Sequence, residues 1–495
     1  MEEVISRFPH IAEICFEELD NYNLIQCKVI SQSWKNFIEE SKFSYIRLIA
    51  ATTNCSKKEV EKIFPKANLE DIILLASDVS QVYDKLNYEA DVTTDLSLTL
   101  FHMAAKHGYL SVCKLIIENI EEHPTELYGK YPLHLAAENG HFSICQLIIS
   151  KNENRSRPQL NNPQNFDEIF DFDYQDNTPI HLAAQNGHLA VCELLIKWIE
   201  DAYPEQIDYV KAANDFGSTP LHLAAEFGHL SVCQYLLKKV KDTQYENIFG
   251  ATPLTCAAKE GHSAVFHLIF ESIADKRFIN NGDKYGKTPL HYAAANNLLS
   301  VCQKLMEIVD EVTHGLNTKD IDGNTPFQLA AMSGHLDICE LLMIFQPISL
   351  HPIIDDITDL KRNGNHKHPF YWAATEGHLH VCKLFLEKLK EKNPVNHDGY
   401  SLLHWAASNG HLNVCQYIIE NVSDKNPADW SSYTPLHFAA QNGHIHICQL
   451  IVNNITEKNP ENSIGQTPIQ LASDSGHFTV VKMLQAGLSK KIKLG

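Results

Sequence analysis

"TPLHFAAQNGHIHICQLIV", Thr434 to Val452, decides the fold. Thr434 has the hydroxyl of a helix N-cap, and Pro435 suits the first helical position, where no N–H is needed. Leu436, Ala439 and Ala440 share one helical face. Their small alanines let neighbouring helices approach closely. Gly443 suits the left-handed residue that ends a helix. Ile447, Cys448, Leu450 and Ile451 then give a second apolar helix. One such pair cannot bury its own face, but stacked neighbours can.

The stretch recurs along the chain. Close copies start at Tyr131, Thr178 and Thr219, and weaker ones at Thr99, Thr252, Thr288, Thr325, His368, Ser401 and Thr467. From His368 the anchors fall at 368, 401, 434 and 467, a step of 33. Elsewhere the step is longer, which puts extra residues near 151–173, 199–213 and 345–366. Insertions in repeats fall in loops, often on the binding side. The 151–173 segment reads as a docking loop or as a tolerated insertion.

A period near 33 with T-P-L-H resembles the ankyrin repeat. The resemblance covers 95–488 in about eleven repeats. It implies an all-α solenoid of helix pairs with short β-hairpin loops, ending in a short tail at 489–495. Ankyrin arrays bind partners mostly through hairpin tips and the concave face of the first helices. At those positions Tyr128, Tyr174, Phe216, Phe227, Phe249, Tyr285, Tyr400, Trp430 and Tyr433 are the candidate target-binding residues. Phe216, Phe227, Phe249 and Tyr285 are read as one stripe. The alternative is that some of the nine pack between neighbouring hairpins. Asp176 and Ser432 stand where other repeats have Gly before the anchor, so local differences are expected there.

Twenty-seven histidines and thirteen cysteines raise the question of metal. Yet His134, His181, His222, His291, His404 and His437 all fill the fourth motif position. Cys113, Cys145, Cys192, Cys233, Cys302, Cys339, Cys382, Cys415 and Cys448 fill one position of the second helix. No C-x-x-C pair of the zinc type is present. Structural roles are expected: a bonded histidine and a small buried thiol. Cys256, Gln328 and Tyr371 are read as replacing the histidine. No P-loop, G-x-S-x-G or H-E-x-x-H motif appears, so no enzyme activity, metal or cofactor is expected.

A net charge of −20 argues against nucleic acid or anionic membrane as partner and favours steering of basic partners. No apolar run approaches the ~18 residues of a membrane helix. The acidic start without an apolar core, together with unpaired cysteine usage, points to the cytoplasm or nucleus.

Residues 8–49 do not fit the repeat. Apolar residues recur at helical spacing as three short helices, a unit small enough to need a partner surface. The stretch resembles an F-box. Phe8 and Pro9 match its opening, Leu19 and Asp20 the end of its first helix, and Leu24, Cys27, Ile30, Ser31 and Trp34 the remainder. The resemblance implies binding of a Skp-type adaptor, and through it a cullin–RING ubiquitin ligase, with the array selecting the target. Phe8, Pro9, Ile11, Ile14, Leu19, Leu24, Ile30 and Trp34 are the expected adaptor contacts. The alternatives are a cap on the solenoid's end, or a scaffold without a ligase role. Residues 1–50 are thus an F-box-like domain, and 51–94 a helical linker or cap, perhaps a degenerate repeat.

Overall fold

The computed structural model describes residues 96–110, 113–114, 117, 130–153, 172–202, 209–240, 245–276, 279, 281–308, 318–344, 369–388, 393–396 and 398–492. The F-box-like segment, the 51–94 segment, Tyr128 and most of the three insertions lie outside them. The chain divides into two units, at Ile248 and Phe249.

In the first unit α1 is Leu96–His107, α2 Pro132–Glu138, α3 Phe142–Glu153, α4 Pro179–Gln185, α5 Leu189–Ala202, α6 Pro220–Glu226 and α7 Leu230–Lys239. Helices α1, α2, α4 and α6 pack in one row, and α3, α5 and α7 in a second. The second unit continues the pattern. Its inner row is α8 Pro253–Lys259, α10 Pro289–Ala295, α12 Pro326–Ser333, α14 Pro369–Thr375, α16 Leu402–Ser408, α18 Pro435–Gln441 and α20 Pro468–Asp474. Its outer row is α9 Ser263–Ser272, α11 Leu299–Ile308, α13 Leu336–Ile344, α15 Leu379–Lys388, α17 Leu412–Asn421, α19 Ile445–Asn454 and α21 Phe478–Ile492. Each unit is a helical solenoid segment. The repeat at Thr99 departs from the others: α1 begins ahead of its anchor.

Helices of seven residues are unstable alone, so packing must hold them. The alanine pairs, such as Ala183 and Ala184, are fully buried. So are the core cysteines; burial raises Cys145 and Cys192 to about 12, which keeps these thiols protonated and inert.

The T-P-L-H histidine bonds at both ends. The Thr178 backbone N–H donates to His181 Nδ1 at 3.1 Å, while His181 Nε2 lies 3.1 Å from the Ser218 carbonyl of the next repeat. Ser401 N–H to His404 Nδ1 is 2.9 Å, and His404 Nε2 to the Tyr433 carbonyl 3.2 Å. His134, His222, His291 and His437 make the same pair of contacts. An acceptor Nδ1 and a donor Nε2 define the neutral imidazole protonated on Nε2. Burial lowers His181 and His404 to about 4 from the ordinary 6.5. The unfolded chain takes up protons at these sites as pH falls below about 6.5. The folded array does so only near pH 4, so stability is complete above 6.5 and declines between those values.

The reading of Cys256 as a histidine replacement is corrected. Thr255 fills that position, its N–H donating to Thr252 Oγ1 at 3.2 Å, and Cys256 is the buried residue beside it. Gln328 keeps the histidine's contact with the N-cap: its Oε1 accepts from the Thr325 N–H at 2.6 Å. Tyr371 is buried.

A second histidine, after the glycine, reaches back to the preceding repeat. His188 Nε2 meets the Glu138 carbonyl at 3.0 Å, His229 that of Gln185 at 2.8 Å and His444 that of Ser408 at 3.0 Å. Its ring covers the preceding repeat's glycine. Gly410 has φ +85°, and a Cβ there would stand 2.7 Å from His444 Cε1. Gly261 has φ +86° with nothing within 4 Å, because Leu298 replaces the next histidine. Both glycines serve the left-handed turn, but only Gly410 also makes room for a ring. Gly410→Ala is therefore expected to destabilise by about 1–3 kcal/mol more than Gly261→Ala, the cost of overpacking. Urea midpoints of the two variants measure the difference, and equal losses would remove the ring's role.

Candidate protein-docking surface

The loops before each inner helix are not β-hairpins. The described residues contain no strand, and their β-structure is limited to isolated bridges such as the antiparallel one between Val395 and Ser401. Most of the described loops instead fold around a buried Asp or Asn. Asp173 Oδ1 accepts from the N–H groups of Gln175 and Asn177, at 2.9 and 2.8 Å. Asn214, Asp283, Asn396, Asp429 and Asn462 repeat this pattern. One backbone bond closes the loop, as from Asp173 N–H to the Asn177 carbonyl at 2.9 Å. That is too little cross-pairing for a strand ladder, and the Asx side chain does the rest.

The loop's fourth residue is left-handed: Gly217 has φ +67° and Gly286 +69°. Asp176 (φ +55°) and Ser432 (φ +58°) hold the same conformation, so the expected local difference is not found. Successive tips are joined by backbone bonds. In the first unit Asp215 N–H donates to the Gln175 carbonyl and Ile248 N–H to the Phe216 carbonyl, both at 2.9 Å. In the second, Lys284 N–H donates to Phe249 at 2.8 Å and Ile321 N–H to Tyr285 at 2.9 Å. Trp430 N–H donates to Asp398 at 3.2 Å and Ser463 N–H to Ser431 at 3.0 Å.

The tips hold apolar side chains in water. In the first unit Tyr174 is 68% exposed and Phe216 42%. Phe227 is exposed too, but it caps the C-terminal end of α6, at the far end of that helix from Phe216. It belongs to the inner-helix ends, not to the tips. In the second unit Phe249 and Tyr285 are exposed on adjacent tips, and Trp430 is 75% exposed on a later one. The four residues read as one stripe thus fall two in each unit. Tyr400 and Tyr433 are half-buried, one residue before the helix N-cap. The Tyr400 ring packs on Trp405 and Phe438, and Tyr433 on His437 and Phe438, with centroids 5.5–5.6 Å apart.

A search for aromatics misses Ile248, Ile321 and Ile464, exposed on the same tips. Their register was available as a signal. Ile321 follows its Asx residue by one position, as Tyr174 and Trp430 do, and Ile464 by two, as Phe216 and Tyr285 do.

Among the described residues no group of three or more His, Cys, Asp or Glu is arranged to hold a metal ion. No described helix is long and apolar enough to cross a membrane.

A family model, ankyrin repeats (three copies), matches residues 73–162, 101–208, 157–245, 206–280, 239–313, 274–351, 349–429 and 424–493. The chain belongs to the ankyrin-repeat family. The repeats indicate a protein-interaction scaffold, and such proteins are typically non-enzymatic binders. The match begins at residue 73, within the segment read as a linker or degenerate repeat, and leaves residues 8–49 outside it. Nothing in the comparisons supports the F-box-like reading of that stretch. No curated protein matches the chain.

Trp430 and Tyr433 separate exposure from packing within one loop. Trp430→Ala is expected to leave stability within about 0.5 kcal/mol of wild type, as surface changes do. Tyr433→Ala, which removes a ring from the cluster, is expected to cost about 1–3 kcal/mol. Thermal and urea unfolding of the two variants test this.

Proposed function

We propose that the array captures a target protein on its tip loops and that residues 8–49 deliver it to a ubiquitin ligase. The observation that carries the first half is the exposure of Tyr174, Phe216, Tyr285, Ile321 and Trp430 on tips fixed by Asx bonds. Water-exposed large side chains on a rigid frame contribute little to stability but bind at small entropic cost. The second half rests on sequence: Phe8, Pro9, Ile11, Ile14, Leu19, Leu24, Ile30 and Trp34 form an F-box-like set that would seat a Skp-type adaptor and, through it, a cullin. Ubiquitin transfer belongs to the other subunits, and the chain supplies position alone. The reading places the chain in the cytoplasm or nucleus, where such ligases work.

The second reading is a scaffold without a ligase role, in which residues 8–49 cap the solenoid. The family match supports the scaffold function that both readings share.

Two measurements on the full chain test the halves separately. Purified Skp-type adaptor is expected to bind wild type, and Trp34→Ala with Pro9→Ala to lose about 30-fold or more in affinity, the size of a buried aromatic hot spot. Undiminished binding would remove the proposed surface, and no binding by wild type would leave the scaffold reading. A photo-reactive residue at Tyr174 or Trp430 is expected to cross-link target protein in cells, and one at exposed Ser150 of α3 is not. Equal labelling from all three would remove the tips as the docking surface.

A further inference from the structure

We propose that the tip row of the first unit takes an extended, arginine-rich segment of the partner protein. This rests on the reading of the tips as a docking surface and adds the chemistry of the occupant.

Three successive tips present Tyr174, Phe216 and Ile248, each exposed. Backbone bonds from Asp215 to Gln175 and from Ile248 to Phe216 fix their spacing. Carboxylates alternate with these side chains: Asp176, Asp215 and Glu246, all exposed. The tip stretches 172–177, 213–218 and 245–248 contain no lysine or arginine. Acid and apolar groups therefore interleave along one edge, and the described cation of these loops, Lys211, is half-buried ahead of the second tip. The Asp176 carboxyl is raised above its ordinary range by lost hydration and by Asp215 beside it, a sign of two carboxylates held together. The second unit differs: its tips at 283–287 and 318–324 include Lys284, Lys287 and Lys319. Each of the three first-unit tips pairs an exposed carboxylate with an exposed large apolar side chain; of the second unit's tips without lysine or arginine, at 395–400, 428–433 and 461–466, the last alone does so, with Glu461 and Ile464.

The pattern selects the partner's chemistry. A guanidinium lies flat on a tyrosine or phenylalanine ring while its edge donates to a carboxylate. An ammonium makes the charge contact without the planar fork. Acidic segments and nucleic acid are repelled, in keeping with the chain's −20 charge. Neighbouring packed helices stand about 8–10 Å apart, and an extended chain advances about 3.3 Å per residue. A partner strand lying along the row would thus meet a new tip about every third residue.

The probe is a fluorescein-labelled twelve-residue peptide of Arg-Gly-Ser repeats, with Lys-Gly-Ser and Glu-Gly-Ser counterparts, titrated with the full chain by anisotropy. The arginine peptide is expected to bind, the lysine peptide severalfold more weakly and the glutamate peptide not at all. D176N/D215N/E246Q is expected to weaken arginine-peptide binding about tenfold or more, with further weakening by added salt. Y174A/F216A is expected to weaken it to a similar degree, while Ser150→Ala on α3 leaves it unchanged. Circular dichroism and unfolding midpoints equal to wild type establish that the variants are folded. Absent binding of the arginine peptide, equal binding of the glutamate peptide, or equal affinity in the charge variant would each overturn the proposal. In those cases a persisting cross-link from Tyr174 to target would retain the docking surface and reject only its basic occupant. Loss of the cross-link as well would reject both.

Discussion

A neutral imidazole held at both ends is the contact on which the array depends. In each T-P-L-H repeat the ring's Nδ1 accepts the N-cap N–H, so it helps to start a seven-residue helix. Its Nε2 donates to a carbonyl in the loop of the next repeat, the one just before the N-cap for His181 and His404, so it also fixes the following repeat. No charge has to be buried to make this bridge, and both ring nitrogens are satisfied. A lysine or glutamate at the same place would bring desolvation costs of several kcal/mol. A second histidine bonds in the opposite direction, to the previous repeat, and its ring lies over that repeat's glycine. A repeat that carries both histidines is therefore tied forward and backward by side-chain bonds as well as by helix packing.

The tips follow from this arrangement. Because the next loop's carbonyl is already engaged by the histidine, the loop closes around its own Asx residue and extends its remaining side chains outward. Side chains such as Trp430 and Tyr174 are left in water because nothing in the repeat asks them to pack. Tyr433, three positions after Trp430, has the opposite fate because the ring cluster of α16 and α18 receives it. Position relative to the Asx residue, more than residue type, decides between packing and display.

Much of this was legible in the sequence. Thr, Pro and the alanine pair place the inner helices at Pro179, Pro220 and Pro435, because capping and close packing are local demands. The bonded histidine and buried thiol were legible from their fixed register. The tip architecture was less so: β-hairpins were expected, and Asx turns with no strand pairing were found. Asp176 and Ser432 adopt the glycine conformation because the Asx bonds and the following cap constrain the loop from both sides. Thr255 was misplaced by one position in the reading that named Cys256. Register marks the displayed positions better than aromatic character does, since it also places Ile321 and Ile464 on the tips. Tyr128 and the F-box-like contacts from Phe8 to Trp34 fall outside the described residues.

The protonation state of the bridging histidines tests the account most directly. Long-range nitrogen-15 NMR of His181 and His404 reads the tautomer and its titration from pH 7.5 to 5 in the folded chain. The account predicts a proton on Nε2, an unprotonated Nδ1 and no titration across that range, since burial lowers both groups to about 4. A proton on Nδ1, or titration near the ordinary 6.5, would contradict the bridge.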